Sequence, residues 1–294
     1  MNYKLKKISG DASFREFYRL KKDKKDTIIV KAVKDKFQNL IVYSLVNKIL
    51  NKNKITAPVL KKQFFDNGII EINDLGKKSF LDFVKGKKNK FFYYKKLIDI
   101  LIKMQKIKVK KKYNYYGYTI KLKKYDTKIL QKESNLFNDW YIKYLFKSKH
   151  TNKKKKIKDE LTKLYKKLSF KNEFFTHRDF HASNAMIGKK KIGIIDTQDA
   201  LIGNRFYDLV SLIDDVRINL PLKLKNKLFE YYLKKTKLKK LNIINIKNDF
   251  DILSVQRNLK ILGIFIRLNI RDKKPKYLKF IPYTIKLIKL RLKN

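Results

Sequence analysis

A short β-hairpin pattern lies inside a long region whose apolar residues otherwise recur at helical spacing. Its two apolar runs are 185–187 and 191–195, separated by a glycine-containing turn, and this arrangement is typical of two paired strands. Amphipathic helices are predicted at 97–104, 136–145, 253–268 and 277–292. We therefore predict a helical region interrupted once, at 174–196, with the lysine-rich stretch 150–158 as an exposed connector.

The first 76 residues have a different pattern. Charged or glycine-containing turns separate apolar or aromatic runs, which is typical of short strands. The runs are 14–20, 27–33 and 68–72. Between the second and third runs, apolar residues at 40–50 recur at helical spacing, and Ala57 and Pro58 close that segment. The sequence therefore predicts an α+β fold, with a small β-rich lobe at 1–76 and a larger helical lobe at 77–294.

Lysine dominates the charge of the chain. The formal net charge is +49, and only nine of the 75 cationic residues are arginine. A charge of this size suggests nucleic acid or an anionic membrane as a partner, but recognition of bases and phosphates tends to use the planar fork of arginine. The accompanying Asn, Ile, Tyr and Phe are what a strongly AT-biased genome produces in any protein. We therefore expect no specific nucleic-acid partner.

The absence of certain residues and segments argues against a thiolate metal site, a membrane span and a secreted protein. It contains no cysteine and three histidines, so a bound metal should have oxygen ligands. No run approaches the roughly 18 uncharged apolar residues that a bilayer helix needs, and residues 1–20 do not resemble a signal peptide. We expect a cytoplasmic protein without a membrane span, whose oligomeric state the sequence does not indicate.

Acidic residues are concentrated in one part of this lysine-rich chain. Six of the 26 acidic residues lie close together in sequence: Asp179, Asp196, Asp199, Asp208, Asp214 and Asp215. A local need for negative charge would explain this concentration. The alternative, solvated helix and turn residues, can account for Asp214 and Asp215.

The ends of the predicted hairpin carry three oxygen-bearing side chains. Asp179 and Asn184 precede the first strand, and Asp196 follows the second. Mg²⁺ prefers oxygen ligands and keeps several waters, so Asn184, Asp196 and phosphate oxygens would suffice to hold it. Phosphoryl transfer needs positioning, a metal ion and a carboxylate that orients or accepts the proton of the nucleophile. The pattern therefore predicts a phosphoryl-transfer site in which Asp179 faces the acceptor hydroxyl.

Two histidines flank this aspartate in the run His177, Arg178, Asp179, Phe180, His181. His177 is expected to brace the loop through hydrogen bonds rather than to act as a ligand or a base. His181 either lines an acceptor pocket or caps the loop, and both alternatives stay open.

Three runs around this motif, and shorter ones elsewhere, carry a family resemblance. The runs are 177–186, 195–203 and 207–212, with 10–15, 256–265 and 274–278. They resemble the aminoglycoside phosphotransferase and choline kinase superfamily and, within it, the anomeric N-acetylmuramate/N-acetylglucosamine kinases of bacterial cell-wall recycling. The resemblance implies a protein-kinase-like two-lobe fold, in which 1–76 binds nucleotide and 77–294 carries catalysis and acceptor binding.

The same resemblance implies a function. The chain would be an ATP- and Mg²⁺-dependent kinase of the anomeric hydroxyl of N-acetylmuramate and/or N-acetylglucosamine, in peptidoglycan recycling. Asp179 would be the catalytic base, Asn184 and Asp196 would bind Mg²⁺, and Asp208 would be a structural acid that steadies the loop. The family acts on small molecules, and Asp196 is followed by Thr-Gln rather than by the Phe-Gly of protein kinases.

The candidates on the nucleotide side are Ser13, Lys31, Glu71 and Asp74. Ser13 belongs to a loop of small residues whose N–H groups would approach phosphates, although a turn with one glycine is also often only a turn. Lys31 is either the phosphate-pairing lysine of kinase-like folds or a solvated strand residue, and no glutamate before Glu71 can serve as its usual helix partner. Glu71 and Asp74 belong to a stretch that resembles the interlobe hinge, with Gly76 as its pivot.

The candidates on the acceptor side are polar residues near the motif or on an apolar helix, since a sugar needs a few convergent polar groups. They are His181, Gln198, Asp199 and Arg257. Arg257 is equally suited to a buried ion pair with Asp199 or Asp208.

Two rival functions are considered. One is a kinase of another small alcohol, such as an aminoglycoside, choline or homoserine, and the basic composition argues against the cationic acceptors among these. The other is a lysine-rich, nucleic-acid-associated protein on a kinase scaffold. Asp179, Asn184 and Asp196 are all present, which argues against a degenerate scaffold.

Overall fold

The computed structural model describes residues 4–8, 15–22, 25–33, 37–146, 151–188, 191–238 and 242–293. Strands in these residues are β1 (Lys4–Ile8), β2 (Glu16–Lys22), β3 (Lys25–Lys31), β4 (Leu60–Phe64), β5 (Ile69–Asn73), β6 (Tyr113–Tyr115), β7 (Tyr118–Ile120), β8 (Phe174–Thr176), β9 (Ala185–Ile187), β10 (Ile192–Ile194) and β11 (Leu201–Gly203).

Helices in the same residues are α1 (Gln38–Lys52), α2 (Phe80–Val84), α3 (Lys90–Gln105), α4 (Thr127–Leu136), α5 (Lys143–Phe146), α6 (Thr151–Lys166), α7 (Tyr207–Ile213), α8 (Leu222–Lys235), α9 (Ile243–Ile270) and α10 (Ile281–Arg291). A π-helical stretch, Phe137–Ile142, joins α4 to α5. Within the described part of the chain, no helix combines the length and the apolar character needed to cross a membrane.

The chain divides into two compact units, each built from separate stretches. Unit 1 comprises Met1–Lys90, Lys106–Leu122 and Asp179–Ala200. Unit 2 comprises Phe91–Gln105, Lys123–Arg178 and Leu201–Asn294. The predicted lobe boundary at residue 76 stays a prediction.

Unit 1 contains a five-stranded antiparallel sheet in the order β1-β2-β3-β5-β4. Side chains alternate in β3 and β5, so that Ile28, Val30, Ile70 and Ile72 are buried while their neighbours are partly exposed. Helix α1 buries its apolar residues, as its helical spacing predicted. An N-terminal antiparallel sheet with a larger helical part confirms the predicted α+β, protein-kinase-like class.

Two hairpins complete unit 1. The predicted one is confirmed, because β9 and β10 pair antiparallel with Ile187 opposite Ile192. The other, β6 with β7, turns through Tyr116 and Gly117, which both have positive φ, 49° and 78°. A two-residue turn with both φ angles positive matches the right-handed twist of paired strands, and glycine adopts it readily. The prediction of a single interruption in the helical region was therefore wrong.

Unit 2 is organised around α9, a helix of 28 residues buried along most of its length. It contacts α4, α7, α10 and the π-helical stretch. A Cβ on Gly263 would lie 2.2 Å from the carbonyl oxygen of Leu136, so only glycine lets the end of α4 approach α9 this closely.

Helix α6 corrects the predicted connector. Residues 151–158 are helical, not an irregular linker. The buried or half-buried residues Ile157, Leu161, Leu164 and Tyr165 follow helical spacing on one face. The lysines around them obscured that stripe in the sequence.

Candidate active site

The β9–β10 hairpin brings Asn184 and Asp196 side by side in unit 1. Backbone N–H of Ile195 donates to the carbonyl of Asn184 at 3.0 Å, which extends the hairpin pairing by one step. The Asn184 Nδ2 atom donates to the main-chain oxygen of Asp179 at 3.0 Å and lies 3.5 Å from Oδ2 of Asp196. The side chains of Asn184 and Asp196 therefore meet the backbone of Asp179 at the mouth of the hairpin.

Backbone strain accompanies this meeting point. Asp196 has φ of +64° and Arg178 has φ of +75°. A non-glycine residue in the left-handed region costs on the order of 1–3 kcal/mol and persists only where its surroundings hold it. Both residues are held by hydrogen bonds, and the bonds around Arg178 lie within unit 2.

Asp208 supplies the bonds that hold the residues directly before Asp179. It lies buried in the first turn of α7. Its Oδ2 accepts from the backbone N–H of His177 at 2.7 Å, and its Oδ1 accepts from the backbone N–H of Arg178 at 2.9 Å. This is the geometry that a structural acid needs. His177 is itself fully buried, as a bracing residue would be.

His181 lies on the other side of Asp179 and is buried. Its backbone N–H donates to the Asp179 carbonyl at 2.9 Å, and its own carbonyl accepts from the backbone N–H of Asn184 at 2.9 Å. Its Nε2 atom lies 3.4 Å from Nδ2 of Asn184. These contacts show that the backbone of His181 belongs to the loop, and both alternatives for its side chain stay predictions.

Arg15 is a site residue that the sequence analysis missed. It directly precedes β2 and is 4% exposed. Its Nη2 donates to Oδ1 of Asp196 at 2.7 Å, and its Nη1 donates to Oε1 of Gln198 at 2.8 Å. The sequence did contain a hint, because Arg15 ends the family-like run 10–15 in a chain whose cationic residues are mostly lysine.

Aromatic rings enclose this guanidinium. Its Cζ lies 5.5 Å from the ring centre of Phe17 and 5.4 Å from that of Tyr43 on α1, both within the range of cation–π attraction. Burial raises the pKa of Tyr43 to about 12, although the charge of Arg15 opposes the shift. The phenol therefore stays neutral beside the arginine.

Lys31 has a different environment from Arg15. It is the last residue of β3, its side chain is exposed, and its partners in the sheet register are Glu16 and Ile69. The pKa of Glu16 is lowered chiefly by a hydrogen bond from Lys7, and the charge of Lys31 adds a smaller effect. This exposure matches the solvated-strand alternative.

The other nucleotide-side candidates lie around the end of β5. Glu71 is half-buried in β5, opposite Ile29. Asp74 accepts from Nε of Arg19 at 2.5 Å and from the backbone N–H of Gly76 at 2.9 Å. Gly76 has φ of +115°, and a Cβ there would lie 3.0 Å from the Ile187 carbonyl. The structure thus makes Asp74 the brace of a turn that requires glycine. Ser13 lies outside the described residues.

The acceptor-side candidates fall in both units. Gln198 is held in unit 1, where its Nε2 donates to Asp196 Oδ1 at 3.1 Å and to Oδ2 of the exposed Asp199 at 2.9 Å. Arg257 is buried in α9 of unit 2. Its Nη1 makes no hydrogen bond within the described residues. The roles of all three stay predictions.

A buried charge cluster in unit 2 also escaped the sequence analysis. Glu133 on α4 pairs with Arg178 and, at 3.1 Å, with Nζ of Lys260, and it accepts from the hydroxyl of Tyr125. Burial opposes ionisation of Glu133, but the charges of Lys260 and Arg178 hold its pKa below the usual value. The cluster fixes the side chain of the residue just before Asp179.

Oxygen donors near the hairpin are few, which bears on metal binding. Among the described residues, no group of three or more His, Cys, Asp or Glu side chains is placed to hold a metal ion. An ion at the hairpin would therefore depend on Asn184, Asp196 and oxygens from outside the protein. Mg²⁺ tolerates such a sparse set, because it keeps waters and takes phosphate oxygens.

Comparisons with known proteins show what this chain is similar to. A model of the phosphotransferase enzyme family, APH, matches residues 93–241, about half of the chain. The N-acetylmuramate/N-acetylglucosamine kinase of Pseudomonas aeruginosa is 29% identical over 280 residues, which cover 93% of this chain and 79% of that protein.

Solved structures share the fold. Ethanolamine kinase from Plasmodium vivax aligns with a TM-score of 0.67 and 15% identity, covering 99% of this chain and 82% of that one. Spectinomycin phosphotransferase, solved with ADP and spectinomycin, aligns with a TM-score of 0.62 and 13% identity, covering 98% and 92%. At such identities the likeness concerns the fold alone.

Proposed function

The chain belongs to the phosphotransferase enzyme family and is a small-molecule kinase, and from that premise we propose that it phosphorylates the anomeric hydroxyl of N-acetylmuramate and/or N-acetylglucosamine with ATP. The observation that carries the proposal is the meeting of Asn184, Asp196 and the Asp179 backbone at one hairpin. The similarity to an amino-sugar kinase over 93% of this chain supports the choice of acceptor.

Asn184 and Asp196 would hold Mg²⁺ in this proposal. The residue types fit, since Mg²⁺ takes amide and carboxylate oxygens. Nδ2 of Asn184 lies 3.5 Å from Oδ2 of Asp196, so the two side chains are neighbours, and Asp196 keeps a 37% exposed side chain through which phosphate oxygens can approach. Bound there, the ion would neutralise charge on the ATP phosphates. The proposal needs no further protein ligand.

Asp179 would orient the acceptor and take its proton. The proton of the anomeric hydroxyl passes to the Asp179 carboxylate, the hydroxyl oxygen bonds to the γ-phosphorus, and the bond from that phosphorus to the bridging oxygen of ADP breaks. Hydrogen bonds to the backbone of Asp179 and of the residues before it support this role. Asp208 fixes the two residues before it, and Asn184 and His181 bond to its carbonyl.

The excess of positive charge supports anionic substrates. With a net charge of +49, the protein attracts ATP and the lactyl carboxylate of N-acetylmuramate, whereas cationic acceptors are repelled. Cell-wall recycling would be the process that supplies such an amino sugar.

A panel of acceptors with γ-labelled ATP tests the proposal. N-acetylmuramate, N-acetylglucosamine, glucose, choline, homoserine and an aminoglycoside are compared, and each labelled product is then treated with mild acid. We expect label on one or both N-acetyl sugars, and its release by acid, because an anomeric phosphate hydrolyses far more readily than a 6-phosphate. Label found only on another acceptor, or an acid-stable sugar phosphate, would overturn the proposal.

A further inference from the structure

Three side chains form a closed ring of hydrogen bonds on one side of the hairpin. Arg15 donates to Oδ1 of Asp196 at 2.7 Å and to Oε1 of Gln198 at 2.8 Å, and Gln198 Nε2 donates to the same Oδ1 at 3.1 Å. The ring therefore engages one carboxylate oxygen twice. The other oxygen, Oδ2, faces Asn184.

The ring is anchored on its buried side. The Arg15 side chain is 3% exposed, whereas that of Asp196 is 37% exposed. Phe17 and Tyr43 lie against the guanidinium, and the next residue along, Thr197, donates its hydroxyl to Oδ1 of Asn47 on α1 at 2.7 Å. The buried side of the Asp196 carboxylate is thus held by Arg15, and its other side is accessible to solvent.

Such an arrangement restricts how Asp196 can turn. Rotation of the carboxylate about its last bond would break both hydrogen bonds to Oδ1 together. Charge-assisted hydrogen bonds from a guanidinium are stronger than neutral ones, and residues that orient a metal ligand affect metal affinity by about 10–100-fold. A lysine would supply charge to a single point but could not bridge Asp196 and Gln198 as a planar fork does.

We propose that Arg15 and Gln198 are positioning residues that fix Oδ1 of Asp196, so that Oδ2 is presented beside Asn184 to a divalent cation. This inference rests on the metal site of the proposed function. It gives Gln198 a bracing role in place of the acceptor contact predicted from sequence. The cationic side chain that supports the metal site in unit 1 is then that of Arg15 rather than that of Lys31.

Direct binding of Mn²⁺ in the presence of ADP, followed by electron paramagnetic resonance, tests the inference without relying on turnover. The variants are Arg15→Lys, Gln198→Ala, the double variant and Asp196→Asn. Lys7→Ala is the matched control, because it removes an exposed cation from the adjacent strand β1. Circular dichroism confirms that each variant is folded.

We expect Arg15→Lys and Gln198→Ala each to weaken Mn²⁺ binding about 10-fold. The double variant should be little weaker than either single one, because both changes break the same ring. Lys7→Ala should bind as the wild type does. Wild-type affinity in both single variants, tighter binding in either, or additive losses in the double variant would overturn the positioning role.

Asp196→Asn separates the two proposals. If this variant keeps wild-type affinity for Mn²⁺, the metal site of the proposed function is wrong and the inference falls with it. If it loses binding while Arg15→Lys and Gln198→Ala do not, the metal site stands and only the positioning role fails.

Discussion

Arg291, on the last helix, donates from Nε to Oδ2 of the fully buried Asp214 at 2.9 Å. Lys225 pairs with the other carboxylate oxygen at 2.6 Å, and the hydroxyl of Ser254 also donates to Asp214. Helix α10 is thereby tied into the interior of unit 2, and the expectation that Asp214 is a solvated residue was wrong. Removing one partner of such a pair exposes the cost of the buried charge that remains.

Arg291→Met removes the pair with Asp214 and a second pair with Asp251 at 3.3 Å, while Lys225 still faces Asp214. We therefore expect it to lower the free energy of unfolding by about 3 kcal/mol, the low end for breaking a buried pair. Urea unfolding followed by circular dichroism measures it. The control is Arg271→Met, because Arg271 is exposed and pairs with the adjacent Asp272 at the surface. The free energy of unfolding of this variant should match that of the wild type. If the two substitutions lower the free energy of unfolding equally, the buried pair contributes no more to stability than the surface pair does.

The buried Asp214 should also make stability depend on pH. Burial opposes its ionisation, but Lys225 and Arg291 together hold its pKa well below the usual 3.8. Because the unfolded chain then binds the proton at higher pH than the folded protein does, this contribution is complete above about pH 4 and is lost as the pH falls further. The stability advantage of the wild type over Asp214→Asn, measured by urea unfolding, should therefore be constant between about pH 6 and about pH 5 and shrink as the pH falls from about 4 to about 3. A constant difference would contradict the lowered pKa.

Gly263→Ala tests the close approach of α4 to α9. Alanine favours a helix by about 1 kcal/mol over glycine, but here its Cβ would lie 2.2 Å from the Leu136 carbonyl. We expect a net loss of stability of about 1–3 kcal/mol, as for other overpacked interiors. Gly86→Ala is the control, since nothing lies within 4 Å of a Cβ there. If thermal unfolding shows Gly263→Ala to be as stable as Gly86→Ala, the two helices can separate without cost.

Asp179→Asn should leave the fold intact while removing most turnover. The substitution keeps the backbone contacts to Asn184 and His181 but removes the group that takes the proton, which is worth about 10²–10⁴-fold in rate. Initial rates of ADP formation with an N-acetyl amino sugar measure it. Asp139→Asn, an exposed carboxylate on the π-helical stretch, serves as the control and should keep its rate. Ordinary turnover in Asp179→Asn would remove this residue from the mechanism.

Local pattern predicted the parts of the fold that depend on neighbouring residues. The hairpin at 185–195 and helix α1 were found because apolar spacing and turn residues specify them without help from distant contacts. The short strands of the β6–β7 hairpin were missed, although Gly117 marked their turn. Helix α6 was missed because many lysines diluted its apolar face.

In the candidate site too, the sequence predicted local contacts and missed those between residues distant in sequence. Asn184 and Asp196 meet because a short hairpin must bring its two ends together, so spacing alone predicted their proximity. Arg15 reaches Asp196 across 181 positions of sequence, and no local pattern specifies such a contact. Lys31 was considered by analogy of position, yet its side chain is exposed. Glu133 and Lys260 likewise meet only through the packing of α4 on α9.

Neither unit is one uninterrupted piece of the polypeptide, since Asp179–Ala200 returns to unit 1 after two stretches of unit 2, Phe91–Gln105 and Lys123–Arg178. A fragment that stopped at residue 90 would contain Arg15 and the five-stranded sheet but neither Asp196 nor Gln198. Arg15 would then lack the hydrogen bonds to Asp196 and Gln198 that it makes in the intact chain. The sheet is consequently not a portable module, because a fragment that keeps Asp196 and Gln198 beside Arg15 must also carry two stretches of unit 2.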